Sequence, residues 1–354
     1  MIGIEKNDSI TPETVDVVTF DRFWSSSRYA TIVDGFDLKS RVQNAFDEME
    51  SYGGFAFFLE CSSDGIFLGS MAVFKDPWFR SKGRKNVACF GLVTVRDAQV
   101  LCKLLESTIP LIQDKNVAAL RGPVNPPRLL LGYGVQESGF DLPMLAGTSF
   151  DPPGYAGFYS ELEGKGYFVS KDVYYNMTMD NDKAEEYIST LDVDRSLTII
   201  NPSFDQLGDL PAKVADLMNR NLGYRPDYQE ADASRLAEYA QEFATIPGGA
   251  SLLSFVVDDD MLVGVLIMMP DWFELGREKA FSSIVLDIAI LDAPYQGSRR
   301  FLSLAEHCIR TFRALGNIYC EFASISENVR AMLSLVKHDC GCITRSFSVY
   351  EMRV

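Results

Sequence analysis

The stretch Leu252-Leu-Ser-Phe-Val-Val-Asp-Asp-Asp-Met-Leu-Val-Gly-Val-Leu-Ile-Met-Met269 holds two apolar runs parted by three aspartates, the pattern of two buried strands joined by a tight turn. An earlier stretch has the same build: Phe55-Ala-Phe-Phe-Leu-Glu60, a turn at Ser62-Ser-Asp-Gly65, then Ile66-Phe-Leu-Gly-Ser-Met-Ala-Val73. Gly69 and Gly264 hold matching places in the two return strands, about 195 residues apart, an offset long enough for a whole domain.

Working outward, the order of elements repeats as well. Gly91-Leu-Val-Thr-Val-Arg-Asp97 and Val285-Leu-Asp-Ile-Ala-Ile-Leu-Asp292 each read as a strand closed by an aspartate, again about 195 residues apart. Helical periodicity follows over Gln99 to Leu111 and over Phe301 to Leu315. Each helix leads to a strand, at Val117 to Leu120 and at Ile318 to Ser324, and then to a last helix, a glycine and a final strand. The closing glycines, Gly166 and Gly341, are only about 175 residues apart, so the first copy holds an insertion of roughly 20 residues. It falls in the Pro-, Gly- and Leu-rich residues 126–153, either a functional loop or one that packs the copies together. The acidic stretch Asp180 to Asp194, with a short helical piece at Ala184 to Ile188, parts the copies. The expected domains are therefore 1–180, a linker at 181–194, and 195–354.

Composition sets the class. With 354 residues, 47% apolar and 23% charged, both copies are expected to fold. A net charge of -16 opposes a nucleic-acid backbone and favours cationic ligands. Glu5, Lys6, Asn7 and Asp8 stand where a secretory leader needs apolar residues, and no apolar run spans a bilayer, so a cytoplasmic protein with no membrane partner is expected. Seven cysteines without a C-x-x-C pair fit reduced thiols. His338, Cys340 and Cys342 alternate, but a zinc site wants a fourth ligand that no sequence neighbour supplies; they read as packing residues, and no metal is expected.

Hairpin, strand, turn, helix, strand and helix is the order of the GCN5-related N-acetyltransferase superfamily, and Leu291-Asp-Ala-Pro-Tyr-Gln-Gly-Ser-Arg-Arg300 resembles its cofactor-binding signature. The likeness covers Leu197 to Val354. The first half, with Arg121-Gly-Pro-Val-Asn125, Gly139-Phe-Asp-Leu-Pro-Met144, Pro152-Pro153 and Lys171-Asp-Val-Tyr174, resembles the front half of bacterial tandem acetyltransferase-like proteins. The resemblance implies an α+β (mixed α/β) chain of two tandem domains, each a splayed mixed sheet flanked by helices. It also implies acetyl-CoA or another acyl-CoA as cosubstrate, its pyrophosphate on the turn before a helix where unpaired N–H groups favour an anion.

The implied cofactor contacts fall on Ile288, Ile290, Gln296, Gly297, Ser298, Arg299, Arg300 and Asn328. Here the sequence departs from the signature: only Gln296 and Gly297 are kept, and Arg299 and Arg300 replace small residues. These arginines either supply charge-assisted bonds to phosphates or mark a decayed site. The first copy passes from strand to helix through Thr94-Val-Arg-Asp-Ala-Gln-Val100 without a glycine, so it is expected to be a pseudo-domain with no phosphate turn.

Acyl transfer to an amine needs a general base, because an alkyl ammonium with a pKa of about 10 has no lone pair. Glu321, where relatives often carry glutamate, and Asp287, on the neighbouring strand with Ala289 and Leu291 on its face, are the candidate carboxylates. The family's acid tyrosine has leucine near its place in Asn328 to Leu335, leaving Tyr350 and Cys340 as substitutes by proximity alone. Tyr224 and Arg225 fall where relatives place substrate-contacting helices. The expected function is acyl-CoA-dependent N-acyl transfer to a small amine or amino-acid-like substrate by direct transfer. The alternative is a non-catalytic ligand-binding or regulatory protein on the same scaffold.

Overall fold

Both apolar hairpins form, and both carry the same irregularity. In a computed structural model that describes residues 13–32, 37–296, 298–316, 318–327, 333 and 336–354, pairing slips at Cys61/Ser62 in one hairpin and at Val256/Val257 in the other. Each slip makes Leu68 or Val263 the extra residue of a bulge, one position before Gly69 or Gly264. A Cβ on either glycine would stand 2.7 Å from a carbonyl oxygen of the next strand, Thr94 O or Ile290 O, so only glycine lets the strands close there.

The first half contains β1 (Thr14–Val18), α1 (Phe20–Ser26), α2 (Leu38–Ser51), β2 (Phe55–Ser63), β3 (Ile66–Lys75), β4 (Phe79–Arg80), β5 (Val87–Val95), α3 (Ala98–Ile112) and β6 (Ala119–Gly122). The insertion adds α4 (Arg128–Leu131) and β7 (Val135–Ser138), then α5 (Tyr155–Gly164) and β8 (Ser170–Met179) complete this half. After α6 (Asn181–Ser189) come β9 (Thr198–Ile200), α7 (Leu210–Leu222), β10 (Tyr228–Gln229), α8 (Ala233–Ala244), β11 (Leu253–Asp258), β12 (Met261–Pro270) and α9 (Trp272–Glu278). The chain ends with β13 (Ser283–Leu291), α10 (Ser298–Ala314), β14 (Tyr319–Ser326) and β15 (Gly341–Arg353).

One sheet takes in all but β4 and β10, in the order β1-β2-β3-β5-β6-β15-β8-β14-β13-β12-β11-β9, with β7 on β15. The order is a palindrome of equivalent strands, except that the last strand of each half has crossed over. β8 lies on β14 of the second half, and β15 lies on β6 of the first. The two exchanged strands pair along ten residues at the centre of the sheet. Among the described strands only β5–β6 and β13–β14 run parallel, so each half has one place where strands part without a hairpin.

The core respects no boundary between halves. Phe46 and Phe74 of the first belong to the same buried cluster as Phe243, Leu266 and Phe312 of the second. Burying one such side chain contributes about 1.5–3 kcal/mol, so a cluster of this extent ties the halves together far more strongly than surface ion pairs do. Among the described residues, no helix is long and apolar enough to cross a membrane.

Candidate active site

β13 and β14 stay paired for four residues, Ser283 to Leu286 against Tyr319 to Phe322, and then part. From there β13 keeps a ladder only with β12, and it starts with a bulge: Ile267 faces Ile288 and Met268 faces Leu286, leaving Asp287 as the extra residue. A bulge re-aims the side chain it carries. Asp287 is turned into a cavity of about 120 Å³ between the sheet and helices α7 and α8.

The cavity is largely apolar, walled by Val214, Phe243, Phe255, Val265 and Ile267, with Ile288 beside Asp287. Six charged or amide groups reach it, and most are already committed. Glu230 pairs with Arg80; Asp232 caps α8; Arg235 donates to Glu48 and lies over Trp78; Gln229 donates to Asp76. Asp287 makes no hydrogen bond or ion pair with any described residue. Burial raises its carboxyl above the usual range, and Arg128 pulls it back only in part.

Arg128 comes from the other half of the molecule. It opens α4 in the insertion, lies over the Tyr133 ring and donates from Nη1 to the Asp227 carbonyl at 3.1 Å; its remaining donors have no partner among the described residues. The insertion thus lends the second half's cavity a cation, a role the sequence reading missed. Its only trace there was a lone arginine after Pro126-Pro127.

In the first half the same place is closed. β5 has its own bulge at Leu92 and Val93, opposite Met71, just past where β5 leaves β6. The Val124 carbonyl fills the gap so tightly that a Cβ on Gly91 would be 1.7 Å from its oxygen, and Asn125 Oδ1 accepts from Leu92 N at 2.8 Å. Asp97 accepts from Val100 N at 2.9 Å, so a carboxylate of the chain already sits on the start of α3 where a phosphate would bind.

The other expected site residues scatter. Glu321 is fully buried beside the parting strands, and its carboxylate accepts from Asn176 at 2.8 Å, Tyr319 at 2.8 Å and Arg345 Nε at 3.1 Å to both oxygens. So engaged, it has no free lone pair aimed at a substrate. Tyr350 is carried by the strand exchange into the first half, where its ring packs on Tyr159 and Phe168, far in sequence pairing from β13 and β14. Proximity of closing elements along the chain misplaced it because β15 closes the other half. Cys340 is buried with its thiol on the His338 carbonyl, and His338 stacks on Tyr187.

Tyr224 and Arg225 lie on the exposed turn after α7, where Lys82 N donates to the Arg225 carbonyl; neither lines the cavity. Ile288 and Ile290 lie on β13 past the parting, Ile290 packed on Phe255 and Val265. Gln296 donates to the Leu291 carbonyl at 3.0 Å, Ser298 is the first residue of α10, and Gly297 and Asn328 lie outside the described residues. Arg299 and Arg300 begin α10, but each is paired with the linker: Arg299 donates to the Asp192 carboxylate, and Arg300 Nε donates to Asp194 at 3.1 Å. Asp194 is held down at about 2 by Ser196 first and Arg300 next.

No family model and no curated protein matches the sequence. Solved structures do match in shape. A GCN5-related glucosamine N-acetyltransferase region of a fungal multi-domain GH3 β-N-acetylglucosaminidase aligns over 97% of this chain at a TM-score of 0.59 and 11% identity. This chain spans 38% of that chain's length. A tandem GNAT protein from the clavulanic acid biosynthesis pathway aligns over 97% of this chain and 98% of its own at 0.52 and 12% identity. A GCN5-related N-acetyltransferase from Sphaerobacter thermophilus covers 97% and 96% at 0.52 and 10% identity. Equivalent bulges, equivalent parallel pairs and whole-length similarity to such structures together give this chain the tandem GCN5-related N-acetyltransferase (GNAT) fold.

Proposed function

We propose that the chain is an acyl-CoA-dependent N-acyltransferase whose one working site lies in the second half, with Asp287 as general base. The observation that carries this reading is a carboxylate without a partner among the described residues, raised by burial, on a bulge where β13 leaves β14 and facing an apolar cavity. An acyl-CoA supplies an activated thioester. The unpaired side of β13 from Asp287 to Leu291 leaves backbone groups to receive its arm, and Arg299 and Arg300 are the residues to hold its phosphates.

In the transfer, Asp287 takes a proton from the bound ammonium to free its lone pair, the nitrogen forms an amide bond to the acyl carbon as the C–S bond breaks, and the second proton leaves the nitrogen to solvent. The departing thiolate belongs to a thiol of pKa about 8.5 and takes its proton from solvent, so the chain needs no tyrosine acid for that step. The engaged state of Arg299 and Arg300 does not oppose cofactor binding strongly. Their partners are surface pairs, with Asp192 80% exposed, and such pairs are worth about 0–1 kcal/mol, less than a pyrophosphate offers to two guanidiniums.

The same pairing is the observation that favours a second reading, a ligand-binding protein whose phosphate turn has been taken over by its own linker. Calorimetric titration with acetyl-CoA and with CoA separates the two. Micromolar binding of both, with thiol release when a panel of primary amines is added, supports transfer; no heat at millimolar acetyl-CoA sinks it.

A further inference from the structure

From the pairing in one apolar cavity of a guanidinium with donors to spare and a carboxylate without a partner among the described residues, we infer that the acceptor is an α-amino acid with an apolar side chain, its carboxylate held by Arg128 and its amino group by Asp287. This rests on the acyl-transfer reading above. The charged groups at the cavity sort by commitment: Glu230, Asp232 and Arg235 bond to side chains or backbone of the protein, whereas Arg128 spends one donor on the Asp227 carbonyl and Asp287 has no partner among the described residues. A simple amine would meet Asp287 and leave the Arg128 donors without an anion in a low-dielectric space. A zwitterion satisfies both.

The walls decide the rest. Val214, Phe243, Phe255 and Val265 offer nothing polar to an amino-acid side chain, so a branched or aromatic one gains by burial and a charged one does not. The space takes on the order of ten waters, enough for one amino acid with such a side chain and too little for a peptide. Because Arg128 arrives on the first half's insertion, the acceptor site is complete only when both halves are folded together. That gives the insertion a task the duplicated fold does not need.

The test uses the whole chain and two matched pairs of probes, L-phenylalanine with phenethylamine and L-leucine with isoamylamine, each pair differing by the carboxylate alone. Binding is measured by calorimetry without CoA, and transfer by thiol release with acetyl-CoA. The expected result is that each amino acid binds, and reacts by kcat/KM, roughly ten- to a hundred-fold better than its amine. Arg128→Ala removes that preference by weakening the amino acid alone, and Arg128→Lys restores part of it; urea midpoints confirm that both variants fold. Equal or better binding of the amines, or a preference that survives in Arg128→Ala, overturns the inference while transfer to amines upholds acyl transfer itself. If no acceptor reacts, acyl transfer fails, and carboxylate-dependent binding lost in Arg128→Ala still identifies the ligand class.

Discussion

Two carboxylates beside the same parting strands have opposite fates, and their surroundings say why. Glu321 answers to a buried guanidinium and two further donors, so it holds the sheet; Asp287 bonds to none of the described residues, so it is available to a proton. Asp287→Asn is expected to lower thiol release by roughly 10²–10⁴-fold while leaving acetyl-CoA binding intact. The wild-type rate should fall as pH drops through the raised pKa of Asp287, at a higher pH than an ordinary carboxylate would give. Stability runs the other way: a carboxyl raised by folding costs stability when ionised, so Asp287→Asn should melt higher than wild type at neutral pH. That difference should start to close as pH falls through the raised folded-state value and vanish below the unfolded value of about 3.9, as melting curves across pH 3–8 would show. Glu321→Ala strands Arg345 in the core and is expected to cost about 3–5 kcal/mol in urea unfolding, whereas replacing both by Leu and Met should cost far less.

At the scale of elements, the two hairpins, the strands that follow each and the order of parts were legible in the sequence, because apolar runs, turn residues and a fixed offset are local signals; the bulges were not. The helices at 98–112 and 298–314 and the linker helix at 181–189 fall within a few residues of the expected bounds. What local signals could not give was the crossing of β8 and β15, since each pairs as well by pattern with its own half as with the other. That is why Tyr350 was expected near β14 and lies on β6. The site suffered likewise: Asp287 was readable as a buried-strand carboxylate, but Arg128 could not be placed, because its loop has no periodicity. Arg299 and Arg300 were expected to serve phosphates, and in this structure their partners come from the linker. Alanine at both arginines should weaken acetyl-CoA binding by roughly tenfold or more, and alanine at Asp192 and Asp194 should strengthen it modestly, by less than tenfold, as calorimetry would read.

At the scale of the whole molecule, the exchange makes two repeats into one cooperative unit. Removing either half would strip the central partner from the strand left behind: without β15, β6 and β8 both lose a neighbour, and without β8, β14 and β15 do. An exposed pair of long central edges and an opened cluster shared by Phe46, Phe74, Phe243 and Phe312 could not be compensated by the remaining chain. The protein should therefore unfold in a single transition. The three tryptophans allow the test, because Trp24 and Trp78 report the first half and Trp272 the second. In each variant keeping only Trp24 or only Trp272, the fluorescence midpoint in urea is expected to coincide with that same variant's far-ultraviolet circular dichroism curve, with a slope fitting the surface of the full chain rather than of half of it. A fluorescence midpoint that departs from the circular dichroism midpoint within either variant would show instead that each half keeps its own stability despite the crossed strands.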